Sequence, residues 1–428
     1  MSRRLNVYPR LQLDISFSEL AASLFSFAYF SHREQNTREI QSFWKSTKEV
    51  LVTLSIRTSV DLLLQSLNLP PGSEVLMSAV NIQDMVEIVK RHGLVPVPVD
   101  ICLDTLTPSL QLLEALISEN SRVFLVAHLF GSIIDLKPYT QFCKKHNILL
   151  IEDCAQAFAA SKYHGYEEAD VSFFSFGPIK SCTALGGAVT LIRDRTLAEK
   201  MKSLEQQYPL RSEFWFFKRV LKYLGLKFFS IPWVYSHLLA FLSLLDRDLD
   251  LVINSLTRGF SQGDIFAKIR YRPPNRMVEL LNRRLRSCNN QWFERRESKA
   301  RKFLSQLAPE IPCLGQKAEY NSFWVFPILV AEPAALMAKL RENGFDATRG
   351  NTSLICIENL RSHRTLPVPS PVNGQYLLKQ VLYLPVSESL PEQELEYLAK
   401  QVNDFYVAFS VESSTARLNS QPASFIEK

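Results

Sequence analysis

With 428 residues, 46% of them hydrophobic and 21% charged, the chain is long enough for two or three compact units, and its composition disfavours wholesale disorder and a polytopic membrane protein. A net charge of +6 and seven scattered cysteines, with no CxxC pair and no zinc-spaced histidines, point to a cytoplasmic protein with reduced thiols, no disulfide framework and no metal. The first apolar stretch is broken by Asp14 and Glu19, which a secretory signal would tolerate poorly.

Positions 1–40 read as an N-terminal segment ahead of a large domain over 41–204. In SIRTSVDLLLQSLN, Arg57, Thr58 and Ser59 stand immediately before a helical run that ends near Asn68. Such a start is either a plain hydroxyl cap or a site for an anion. From Glu74 to Arg193 the runs EVLMSA, VPVPVD, RVFLVAH, ILLIEDCAQ, DVSFFSF and GAVTLIR alternate with helical patterns. That alternation predicts an α/β domain, a largely parallel sheet with helices on both faces. Ligands of such sheets sit beyond the carboxyl ends of the strands. Asp153, Gln156, Ser175 and Lys180 all fall there.

Positions 205–262 read as an insertion of helices. Phe214, Phe217, Leu221, Leu224 and Phe228 recur every three or four residues with Lys218 and Lys222 on another face, and Phe228 to Leu245 then carries no formal charge. Pro232, His237 and three serines argue against a membrane span, leaving burial on the protein or a partner subunit, or peripheral membrane contact through 214–245. Between Lys268 and Lys302 there are 12 Lys/Arg against 3 Asp/Glu. Met277, Leu281, Leu285, Cys288 and Trp292 keep helical spacing there, so the expectation is one amphipathic helix with a solvated basic face, and no nucleic-acid partner. A smaller α/β unit closes the chain over 263–410, and 411–428 reads as a disordered tail.

No GxGxxG, GxxxxGK[ST] or HExxH motif is present. Lys180, in FFSFGPIKSCTALGG, is either an ordinary surface charge or an amine held out of water by Phe173, Phe174, Phe176 and Ile179, with Gly177, Gly186 and Gly187 letting the backbone turn closely. An acid at one strand end beside such a lysine suits pyridoxal phosphate, whose ring nitrogen a carboxylate keeps protonated while the lysine bonds the aldehyde.

Taken in order, RTSVDLLLQSLNLPPGSEV, VPVPVD, VAHLFG, IEDCAQAFAASKYHG, FFSFGPIK and LGGAVTLIRD resemble the DegT/DnrJ/EryC1/StrS family of sugar aminotransferases. The resemblance implies the fold-type-I architecture of pyridoxal-phosphate-dependent transferases and a homodimer. It implies Lys180 as the cofactor-bonding lysine, Asp153 on the ring nitrogen and Gln156 against the ring. Ser175, Thr58 and Ser59 would hold the phosphate, with Arg57 in the same cradle. Ile82 replaces an aromatic residue near the cofactor. Asn275 and Arg276 match, in shifted register, residues that reach over from the neighbouring subunit. Relatives that dehydrate keto-sugars carry histidine in place of the lysine, so Lys180 implies transamination, from a donor such as glutamate to a keto-sugar, nucleotide-linked, in surface-polysaccharide or secondary-metabolite biosynthesis. Ile82 and the insertion keep open a non-sugar ketone as acceptor. The apolar stretch keeps open a non-catalytic, membrane-associated protein of the same fold.

Overall fold

The computed structural model describes residues 6–419 except positions 11, 30, 45, 245–262, 351–353 and 360–368. Its centre is a seven-stranded sheet ordered β1-β9-β8-β7-β5-β2-β4. The strands are β1 (Glu49–Thr53), β2 (Glu74–Ser78), β4 (Val95–Val99), β5 (Ser121–Ala127), β7 (Leu149–Asp153), β8 (Val171–Ser175) and β9 (Ala188–Ile192), with two short outlying strands, β3 (Val80–Ile82) and β6 (Ser132–Ile133). From β4 to β8 every pairing is parallel, whereas β9 runs antiparallel to both β8 and β1. The last two strands depart from the parallel pattern for a local reason: a loop and no helix joins β8 to β9, and parallel neighbours need a crossover. Pro96 and Pro98 lie on β4, at the sheet edge, where a missing N–H breaks least.

Side chains alternate between two cores, as a period of two demands. Met77, Leu125 and Ile151 face α3 (Ile56–Leu67) and α4 (Gln83–Arg91). Their neighbours Leu76, Phe124 and Leu150 pack on the other face with Leu113 of α5 (Leu110–Leu116) and with Tyr139 and Phe142 of α6 (Lys137–His146). The N-terminal helices α1 (Phe17–Phe25) and α2 (Arg33–Trp44) join a third core with Phe174, Phe176 and Met277.

After α7 (Arg195–Gln207), the insertion holds α8 (Glu213–Phe229) and α9 (Pro232–Leu244) among the described residues; positions 245–262 lie outside them. No described helix is long and apolar enough to cross a membrane. The basic stretch differs from the single solvated helix expected: one helix, Asn275–Arg286, stops at Ser287, and a second, Asn290–Gln306, starts from the Asn289 cap. Several of its arginines face inward. Arg284 pairs with Asp14 and Glu19, and Arg296, 7% exposed, lies over Trp292 and donates to Ser181 Oγ at 3.0 Å.

The C-terminal unit pairs strands Phe326–Leu329 and Val381–Leu384 antiparallel over a core of Phe303, Leu336, Leu340, Leu395 and Leu398. Its last helix spans Glu392–Asn419, which carries helix into the segment expected to be a disordered tail; 420–428 lie outside the described residues.

Candidate active site

β5, β7 and β8 end side by side, with Asp153 in register with Ala127 and Phe173. The residues that follow these three strands therefore converge on one edge. Asp153 closes β7 and is 8% exposed; its Oδ1 accepts the Ala155 N–H at 2.9 Å, which orients the carboxylate. Two residues beyond β8 the chain turns at Gly177, whose carbonyl accepts the Lys180 N–H at 3.0 Å.

Burial pushes the Lys180 amine down to about 7, an effect that Asp153 opposes and Arg57 reinforces. Burial also raises the Asp153 carboxyl, against the pull of the Ala155 N–H and of Lys180. Arg57, Asp153 and Lys180 thus share one electrostatic neighbourhood. The shielding of the amine is not the one expected. Ile179 is 41% exposed, and the Lys180 Nζ lies 3.9 Å from the centre of the Trp324 ring, whose indole N–H donates to the Ile179 carbonyl at 2.9 Å. Trp324 comes from the C-terminal unit. Its only trace in the sequence is an aromatic residue just ahead of that unit's first strand.

Four non-glycine residues on the surrounding loops adopt positive φ: Phe130 (59°), Cys182 (54°), Leu185 (60°) and Phe323 (47°). Each such residue costs roughly 1–2 kcal/mol. In every case a side-chain oxygen holds the strained N–H. Gln156 Oε1 takes that of Phe130 at 2.8 Å, Asp14 Oδ2 that of Cys182 at 2.5 Å, Thr183 Oγ1 that of Leu185 at 2.9 Å and Asn321 Oδ1 that of Phe323 at 2.7 Å. Gln156 therefore has a backbone duty besides the one the resemblance implied.

Other expected residues sit differently. Ser55 caps α3, so Arg57, Thr58 and Ser59 lie inside its first turn rather than ahead of it. The Thr58 hydroxyl donates to the Ile269 carbonyl at 2.9 Å, and the Ser59 hydroxyl bonds Thr53 and Thr190; both residues are fully buried. The Ser59 hydroxyl thus ties α3 to β1 and β9, and the Thr58 hydroxyl ties it to the short helix that ends at Ile269. Arg57 pairs with Asp84 at 2.5 Å, two residues after Ile82, which precedes α4. Ser175 ends β8, with Oγ 3.4 Å from the Gly177 N–H. Gly186 and Gly187 serve the close approach of a helix: a Cβ at Gly186 would lie 2.5 Å from Met277 Cε, and Gly187 has φ +86°. Asn275 and Arg276 bond within their own surroundings, the Asn275 N–H to Glu213 and Arg276 to Glu279, each at 2.7 Å.

Behind Asp153, on the opposite face of β7, lies a buried polar group that the sequence did not announce. His128 Nδ1 accepts the Ile134 N–H at 3.1 Å, so Nε2 donates to Glu152 at 2.8 Å; Tyr163 donates to the same carboxylate. These bonds hold Glu152 down to about 2 against its burial.

Residues 27–222 match the profile of the DegT/DnrJ/EryC1/StrS aminotransferase family. Over that stretch the chain is similar to sugar aminotransferases of this family. Over 361 residues it is 24% identical to a pleiotropic regulatory protein of Geobacillus stearothermophilus, covering 82% of this chain and 83% of that one. Over 153 residues it is 33% identical to GDP-perosamine synthase of Caulobacter vibrioides, covering 35% of this chain and 41% of that one. The aminotransferase TlmJ of Streptoalloteichus hindustanus has the same fold, with a TM-score of 0.68 at 16% identity over 94% of this chain and all of that one. So does Spr1654 of Streptococcus pneumoniae, solved in a PLP form, with a TM-score of 0.64 at 18% identity over 93% of this chain and 98% of that one. Pyridoxal phosphate is the cofactor of this family. The donor set here fits it: an amine lowered to about 7, a buried carboxylate in its field and an arginine close by.

Proposed function

We propose that the chain is a pyridoxal-phosphate-dependent aminotransferase that moves an amino group from glutamate or a like donor to a keto-sugar, nucleotide-linked, as a homodimer. The observation that carries the reading is the Lys180 amine at about 7 beside Asp153, at the carboxyl ends of parallel strands. When bound, the cofactor supplies an aldehyde for the donor's nitrogen and a protonated ring that draws electrons from the substrate carbon. Lys180 would bond it, with Asp153 at the ring nitrogen and Arg57 and Ser175 at the phosphate. With its affinity for a proton lowered by burial, the Lys180 side chain can take a proton from the substrate carbon and return one. The Trp324 ring lies over the amine.

The sugar rests on relatives. The 33% match to GDP-perosamine synthase supports it, whereas L-glutamine:2-deoxy-scyllo-inosose aminotransferase of Streptomyces fradiae, 33% identical over 146 residues, supports a ketone without a nucleotide. The test is a panel of both acceptor types with glutamate or glutamine, read by formation of the keto-acid product and by the mass of the amine. Turnover of a nucleotide-linked keto-sugar, lost with Lys180→Ala, is the expected result. Asp153→Asn should keep the bound cofactor's absorbance and lose roughly 10²-fold or more in turnover. Amination of the non-sugar ketone alone would replace the substrate reading, and full activity of Asp153→Asn would remove that residue's role.

A further inference from the structure

The insertion carries α8 (Glu213–Phe229) and α9 (Pro232–Leu244), and each has one face anchored. Phe216, Val220 and Tyr223 of α8 are buried. On α9, Val234 and Tyr235 are buried, the Tyr235 hydroxyl donates to Asp346 at 2.5 Å, and Ser236 Oγ accepts the Val7 N–H at 2.8 Å.

The opposite faces are apolar and in water. On α8, Phe214, Leu221 and Phe228 are 62%, 44% and 47% exposed, with Lys218 and Lys222 exposed among them. At the corner Phe229 is exposed too. On α9, Trp233, Phe241 and Leu244 are 58%, 57% and 84% exposed, at positions i, i+8 and i+11 of one helical face. Soluble monomers rarely leave apolar surface so continuous, and such surface marks a place of attachment.

Charge identifies what attaches. Between Phe214 and Leu244 the chain holds Lys218, Arg219, Lys222 and Lys227 and no carboxylate; the first acid after them is Asp246. Arg219 donates inward to the Leu185 carbonyl and Lys227 to that of Leu13, which leaves Lys218 and Lys222 outward. A second copy packed symmetrically on this face would bring those lysines against their own copies. Burying the face in a bilayer's hydrocarbon core does not fit either, because neither helix is long and apolar enough to cross. Exposed tryptophan and phenylalanine interleaved with lysines suit the boundary between lipid headgroups and acyl chains.

We infer that α8 and α9 dock the protein on the surface of an anionic phospholipid bilayer, Trp233 and Phe241 entering the interface while Lys218 and Lys222 meet the headgroup phosphates. The test is flotation of the full, cofactor-loaded chain with vesicles of phosphatidylcholine alone or mixed with phosphatidylglycerol, at low and raised salt. Binding is expected only with the anionic vesicles, weaker as salt rises. The partition coefficient should fall roughly tenfold or more in Lys218→Glu/Lys222→Glu. It should fall also in Trp233→Ala/Phe241→Ala, with turnover in solution unchanged in both, since these residues lie outside the Lys180 site. No flotation, or flotation that neither variant alters, overturns the inference. So does a shift from dimer to monomer in Trp233→Ala/Phe241→Ala by sedimentation velocity, which would assign the face to a second copy. None of these outcomes bears on the aminotransferase reading, which the acceptor panel tests separately.

Discussion

Lys180 shows how one side chain's surroundings set its chemistry. Burial takes the amine from 10.5 to about 7, and only Asp153 pulls it back. The folded protein therefore resists a proton that the unfolded chain accepts. This opposition is complete below about pH 7, weakens as the pH rises and is gone above 10.5, because between those values only the unfolded chain binds the extra proton. In cofactor-free protein, Lys180→Met should accordingly be more stable than wild type near neutrality, with the gap closing toward pH 10. Urea midpoints across that range measure it. A gap that stays constant with pH would mean that the amine is solvated and its pKa ordinary.

The element that presents this lysine is the loop between β8 and β9, held from three sides. Within it, the Thr183 hydroxyl donates to the Gly177 carbonyl at 2.7 Å, and the Ala184 and Gly186 N–H groups both return to the Phe176 carbonyl at 3.0 Å. From the N-terminal segment Asp14 holds Cys182, and from helix Asn275–Arg286 the Met277 side chain sits against Gly186 and Gly187. The loop can keep two left-handed non-glycine residues because these contacts over-determine it. Gly186→Ala would set its methyl 2.5 Å from Met277 Cε and should destabilise by about 1–3 kcal/mol. Met277 is flexible at that end, so Met277→Ala in the same chain should recover part of the loss. A double-mutant cycle from urea unfolding measures the coupling, and strict additivity of the two changes would show that the contact does not hold the loop.

At the scale of the whole molecule the site is assembled from distant parts of the chain. Asp153 comes from the end of β7, Lys180 from the loop after β8, Trp324 from the C-terminal unit, and Asp14, which steadies Cys182, from the N-terminus. Arg276 is 8% exposed and paired with Glu279 at 2.7 Å, so within its own chain it belongs to a helix junction. A part in catalysis would then be played in a partner's site. Mixing Lys180→Ala chains with Arg276→Ala chains should restore turnover that each lacks alone, through hybrid dimers holding one intact site. Loss of stability in Arg276→Ala without any restoration would leave Arg276 a structural residue.

The α/β class, the strands from EVLMSA to DVSFFSF and the pair Asp153 and Lys180 were legible in the sequence, because buried parallel strands write themselves as continuous apolar runs and a site at their ends follows them directly. The inward turn of the Thr58 and Ser59 hydroxyls was not, because a hydroxyl in the first turn of a helix reads alike whether it meets an anion or a carbonyl 211 positions away. Nor were Trp324 over the amine, the Glu152 network behind Asp153, or the side chains that hold Phe130 and Cys182. Those contacts join residues far apart in the chain, and periodicity reports only which face of its own element a residue occupies, so what meets that face was decided by the packing of one element against another.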